Sequence, residues 1–140
     1  MASFAVTGLD TLALSIDQLA NMPETVINDI LNAQADIIVS AQKSKANEYG
    51  VVDTREMINS IKKGKVKKVR DSYEIKVVPQ GSRKRGKTTT TNAEIAYINE
   101  YGKRGLSARP FIRDANAESE PKIEKAALEV YDSFLKSKNL

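Results

Sequence analysis

From Pro23 to Asn47 the chain runs without a glycine, and its one proline stands at the first position, where a helix tolerates it best. Within that stretch Val26, Ile30, Ala33, Ile37 and Ala41 recur at helical spacing, and Ile27, Leu31 and Ile38 widen the stripe. The pattern predicts one long amphipathic helix, and the rest of the chain must supply an apolar surface to cover it. Ahead of it, Leu9, Leu12, Ile16 and Leu19 fall at i, i+3, i+7 and i+10, which predicts a short helix interrupted by Asn21-Met22-Pro23.

Gly50 ends the long helix, and Asp53-Thr54-Arg55-Glu56 has capping-box spacing ahead of Met57, Ile58 and Ile61, so a short third helix is expected. The apolar period then drops from near 3.6 to 2. Tyr73, Ile75 and Val77 alternate with Glu74 and Lys76, and the run KVKKVR before Asp71-Ser72 reads as the partner strand of a hairpin. The three-residue gap between Val66 and Val69 breaks strict alternation and predicts a bulge or a sheet edge.

Gln80 to Asn92 is basic, rich in small residues and devoid of apolar anchors, and is expected to be a mobile basic loop over about 80–92. Thr91 and Glu94 have capping-box spacing for a helix carrying Ile95, Ile98 and Tyr101, with Gly102 as its stop. A strand is possible near Gly105 to Ser107. Pro110 then opens a last helix through Phe111, Ile112, Ala115, Ile123, Ala127, Val130 and Phe134, with Ser119 and Pro121 marking a restart or a kink. The expected fold is a single α+β domain over residues 1–140: N-terminal helices and a long C-terminal helix packed on a small antiparallel sheet with a β-hairpin.

The chain has no Cys and no His. Disulfide scaffolds, zinc sites and thiol or imidazole catalysis are thereby excluded. No carboxylates form a spaced pair in an apolar setting, and none of Gly64-Lys65, Gly86-Lys87 or Gly102-Lys103 has phosphate-loop spacing. The expectation is a protein that is not an enzyme and needs no cofactor and no metal. No apolar run spans a membrane, and the first ten residues lack the pattern of a signal peptide, so a soluble protein made in a reducing cytoplasm is expected.

Charge is segregated along the chain: net −5 over residues 1–61, +11 over 62–113 and −2 over 114–140. The basic candidates are Lys62, Lys63, Lys65, Lys67, Lys68 and Arg70, and then Arg83, Lys84, Arg85 and Lys87. They suit an acidic partner, a neighbouring copy of the chain or the phosphates of nucleic acid in nonspecific contact. A second candidate surface is the punctuated stretch holding Tyr101, Gly102, Arg109, Pro110, Phe111 and Arg113, pictured as a loop with an aromatic anchor at each end.

Four short motifs occur in a recognisable order: Gly8-Leu9-Asp10-Thr11-Leu12, Thr54 through Ser60-Ile61, Glu100-Tyr101-Gly102, and Ala108-Arg109-Pro110-Phe111. In that order the chain resembles the family of tail-completion, or head-tail joining, proteins of tailed bacteriophages and phage-tail-like particles. Arg55 stands where the family pattern has Gly, and Met57 where it has Leu. The resemblance implies a structural virion protein that completes the head-proximal end of the tail. It would act as a homo-oligomeric ring, expected as a hexamer, around the DNA channel, with the tail tube, terminator or other neck proteins as partners. The alternatives are a small basic nucleic-acid-binding protein, or another neck component such as a terminator or stopper.

Overall fold

A computed structural model describes residues 4–7, 10–15, 22–51, 55–70 and 72–138. Its elements are β1 (Phe4–Thr7), β2 (Thr11–Ser15), α1 (Glu24–Glu48), α2 (Glu56–Ser60), β3 (Ile61–Lys63), β4 (Lys67–Val69), β5 (Ser72–Pro79), β6 (Ser82–Arg85), β7 (Thr88–Thr91), α3 (Asn92–Tyr101) and α4 (Phe111–Ser137). The order is α+β, with all sheet pairings antiparallel among the described residues.

Strand β5 is the spine of the main sheet. Strands β2 and then β1 lie on one side of it, and β3 and β4 both pair with its other edge. Ile61 faces Pro79 and Lys63 faces Val77, but Lys67 faces Glu74 and Val69 faces Ser72. The pairing thus slips by one residue across Gly64 to Val66, which makes β3 and β4 one bulged edge strand. The broken alternation between Val66 and Val69 marks this place in the sequence. Arg70, in the turn to β5, takes a positive φ of 53°.

The segment around Leu12 is strand rather than the expected short helix. Leu12 belongs to the helical series but also stands two residues from Leu14, and the two pair with Ile75 and Tyr73 of β5. A period-3.6 and a period-2 pattern share positions over so short a run, and the free edge of β5 decides in favour of the strand. Leu9, Ile16 and Leu19 of that expectation, and the proposed cap at Asp53-Thr54, lie outside the described residues.

Helix α1 matches its expected span, but its buried face is rotated from the expected stripe. Ala33, Ile37 and Ala41 are only half-buried, whereas Gln34, Gln42 and Lys45 are buried with Ile27, Ile30, Leu31, Ala35 and Ile38. Helix α4 lies along α1 and supplies the polar partners. Gln34 Nε2 donates to the Ile123 carbonyl at 3.1 Å, and Gln42 Nε2 to Asn116 Oδ1 at 3.0 Å. Lys45 Nζ reaches Glu118 at 2.7 Å and Glu48 at 3.1 Å. The two carboxylates raise the lysine's pKa well above its usual range and keep it charged.

Ile61, Ile75 and Val77 of the sheet meet Ile30, Leu31, Met57, Ala96, Phe111 and Ile123 of the helices in one core. Helix α4 passes unbroken through Pro121, where a restart or kink was expected. Ala117, whose carbonyl loses its partner to the proline, is exposed, as is Pro121, so water can satisfy that oxygen.

The segment expected to be a mobile loop is corrected to a hairpin: Ser82 pairs with Thr91 and Arg85 with Thr88, around Gly86 at φ 63°. Four consecutive threonines favour extended backbone, and Gly86-Lys87 gives the two-residue turn a left-handed position without steric cost. Asn92 ties down its base, donating Nδ2 to the Gln80 carbonyl at 2.8 Å and its own N–H to that of Gly81 at 2.9 Å.

Candidate interaction surfaces

Helix α3 begins at Thr91, whose hydroxyl accepts from the Glu94 N–H at 3.1 Å as the capping-box spacing predicts. Its buried residues are Asn92, Ala96 and Glu100, not the expected Ile95, Ile98 and Tyr101. Glu100 is only 3% exposed. Its carboxylate accepts from the backbone N–H of Ile112 at 2.8 Å and of Arg113 at 3.0 Å, at the first turn of α4.

The other two N–H groups of that turn are also satisfied. Phe111 donates to the Arg109 carbonyl at 2.7 Å, and Asp114 to that of Pro110 at 3.1 Å. Pro110, the N-cap, has no N–H, and the Asp114 bond is the first of the helical ladder, so every donor that this helix start leaves without an intrahelical partner is accounted for. An anionic side chain at this end also meets the positive pole of a 27-residue helix.

The chain between Glu100 and Phe111 forms a strap fixed at several points. Gly102 closes α3 at φ 78°, and a Cβ there would lie 2.8 Å from both the Ala108 nitrogen and the Leu106 oxygen. Only glycine fits. The expected strand near Gly105 to Ser107 is a tight turn instead, with Lys103 and Leu106 exchanging backbone bonds of 2.9 and 2.8 Å. Arg109 donates its N–H to the Asn99 carbonyl and Nη1 to the Gly50 carbonyl, the latter at 2.9 Å.

Phe111 is fully buried, as an anchor should be, but Tyr101 is 67% exposed. The strap is thus held by one aromatic, not two. The second fastening is Glu100, which the sequence reading passed over as an ordinary member of a short motif. Arg113 is exposed and donates Nε to Asp114 Oδ1 at 3.0 Å. The Tyr49 hydroxyl donates to Asp114 Oδ2, joining α4 to the end of α1. Tyr49 and Arg113 together lower the Asp114 pKa, and the same bond to the carboxylate raises that of Tyr49.

The basic candidates divide between the bulged edge and the hairpin. Lys62, Lys65, Lys67, Lys68 and Arg70 are exposed along β3, β4 and their turns. Lys63 points inward by its register with Val77 and pairs with Asp36 of α1 at 2.9 Å. Lys68 lies over the Tyr73 ring at 5.9 Å. Lys84 and Lys87 are exposed on the hairpin, while Arg83 and Arg85 are placed by backbone register alone, opposite Thr90 and Thr88. The edge strand and the hairpin adjoin at their roots, where the Gln80 N–H donates to the Ser60 carbonyl at 2.9 Å. A run of lysines on an exposed edge also discourages indiscriminate strand pairing.

Among the described residues no group of three acidic, Cys or His side chains could hold a metal ion, and no helix is long and apolar enough to cross a membrane. No family model, curated protein or solved structure matches the chain.

Proposed function

We propose that this chain is a structural virion protein of a tailed phage or phage-tail-like particle. It completes the head-proximal end of the tail and supports head-tail joining, assembled as a ring of identical subunits around the DNA channel. What carries this reading is that two of the four motifs, Glu100-Tyr101-Gly102 and Ala108-Arg109-Pro110-Phe111, meet in one fastening, and that the glycine position of a third has the backbone a glycine favours. Arg55, at the position where that pattern has glycine, adopts φ 66°, a conformation that favours glycine. Glu100, Gly102, Arg109 and Phe111 belong to one fastening between α3 and α4.

Such a body is suited to being built into an assembly. The helices and the spine strand hold the subunit together, while the basic edge and the hairpin extend charge toward a neighbour or toward DNA. Cells lacking this gene are expected to accumulate filled heads beside unattached or malformed tails, seen by electron microscopy. Normally joined particles would refute the reading.

The exposed row of Lys62, Lys65, Lys67 and Lys68 favours one alternative, a small basic protein that binds nucleic acid through its phosphates. Tight binding of duplex DNA by the isolated chain, weakening steeply with salt and on replacing those lysines by alanine, would support it over the virion role.

A further inference from the structure

Within the strap, Glu100, Gly102, Arg109 and Phe111 each have an internal partner or a steric reason, but Tyr101 has neither. Its neighbours on both sides are locked, so the ring is held outward, 67% exposed, at the end of α3. A large exposed aromatic on rigid backbone loses little conformational freedom on binding, which is the character of an interface anchor. Beside it, Lys103 and Arg104 are exposed on the tight turn. The segment 101–113 carries four cationic side chains and no acid.

The opposite end of the molecule has an open cleft. Between the start of α1 and the end of α4 a cleft of about 700 Å³ is lined by Val26, Val130 and Phe134, with Asp29, Ser133 and Lys138 also on its walls. Exposed acids surround that end: Glu24 and Asp29 on α1, Glu129 and Asp132 on α4, against Lys136 and Lys138. Tyr101 lies near the start of α4, because Glu100 caps that helix, whereas the cleft lies some nineteen residues further along it, or roughly 30 Å at about 1.5 Å per residue.

We infer that Tyr101 of one subunit inserts into the α1/α4 cleft of the next, with Lys103 and Arg104 meeting the acids around it. Made once between each pair of subunits, a contact between a projecting aromatic and a receptor at the opposite end leaves one of each free at the outer subunits, so it propagates into a ring or a filament. The inference rests on the assembly proposed above and specifies the surfaces that would drive it.

The absence of cysteine permits a direct test. Protein carrying Lys103→Cys, which keeps the Tyr101 ring, is mixed with protein carrying Ser133→Cys and oxidised mildly, with Lys76→Cys on the opposite, exposed sheet face as the control partner. Rapid disulfide formation between Lys103→Cys and Ser133→Cys chains, at least tenfold faster than with the control, is expected. Preferential pairing of Lys103→Cys with itself, or no preference over the control, would overturn the inference.

Sedimentation of the cysteine-free protein separates this from the broader reading. Self-association that weakens tenfold or more in Tyr101→Ala, whose side chain has no buried partner, supports the contact. Association unchanged in that variant removes this contact and leaves ring assembly standing. A chain that stays monomeric at all concentrations overturns the contact and removes self-assembly as a property of the isolated chain, while the virion role is judged separately from particles lacking the gene.

Discussion

Replacing Glu100 by alanine should unfasten the start of α4, and the magnitude can be worked from its bonds. The carboxylate accepts two backbone N–H bonds at 2.8 and 3.0 Å in a nearly inaccessible position. Hydrogen bonds to a charged group contribute about 1.5–3 kcal/mol each, and the helix pole adds up to about 2 kcal/mol in a partly buried setting. The desolvation of the carboxylate offsets part of this, leaving an expected loss of about 3 kcal/mol. At about 3 °C per kcal/mol for a chain of this size, the melting temperature should fall by about 10 °C.

Glutamine should recover only part of the loss, because its amide oxygen can accept one bond while its NH₂ would face the second helix donor. Glu94→Ala, an exposed side chain in the same helix, should shift melting by less than about 2 °C. Thermal unfolding followed by circular dichroism measures all three. Hydrogen exchange adds a local readout, since the Ile112 and Arg113 amides should lose protection before the middle of α4 does. A Glu100→Ala protein that melts with the wild type, its two amides still protected, would refute the capping role.

Gly102→Ala should destabilise the fold by about 2–4 kcal/mol, from positive φ together with the approach to Leu106 and Ala108, and urea unfolding would measure it. Arg55→Gly should instead stabilise by about 0.5–1 kcal/mol, because relief of the left-handed backbone outweighs glycine's added unfolded-state freedom; an unchanged urea midpoint would contradict this. The Tyr49 to Asp114 bond predicts two pH arms. With the Asp114 pKa lowered from 3.8, its contribution is present above that value and is lost as pH falls through the lower folded value. With the Tyr49 pKa raised from 10.0, its contribution is present below that value and is lost as pH rises through the higher folded one. Tyr49→Phe should flatten both arms in melting curves recorded from acid to alkaline pH.

The α+β class, the span of α1, the bulged edge, the Thr91 cap and the Gly102 stop were legible in the chain because each depends on near neighbours: a period, a capping pair, a glycine. Arg109-Pro110-Phe111 also reads correctly as a helix start with a core aromatic, since a proline at the first turn and a large apolar ring carry local meaning. The hairpin at residues 82–91 was open to the same kind of reading, but its lack of apolar anchors outweighed the turn at Gly86 and the β-branched run of threonines.

Tertiary structure alone decided the rest. Whether Leu12 and Leu14 joined a helix or a strand depended on the vacant edge of β5, sixty residues away in sequence. The buried face of α1 turned toward Gln34, Gln42 and Lys45 because α4 brought Ile123, Asn116 and Glu118 to meet them. Glu100 is buried and Tyr101 exposed, the reverse of their ordinary preferences, because the first turn of α4 needs two acceptors and only the carboxylate can provide them. Local sequence determines which backbone shapes are available, and the long-range pairing of polar groups selects which side of each shape faces in.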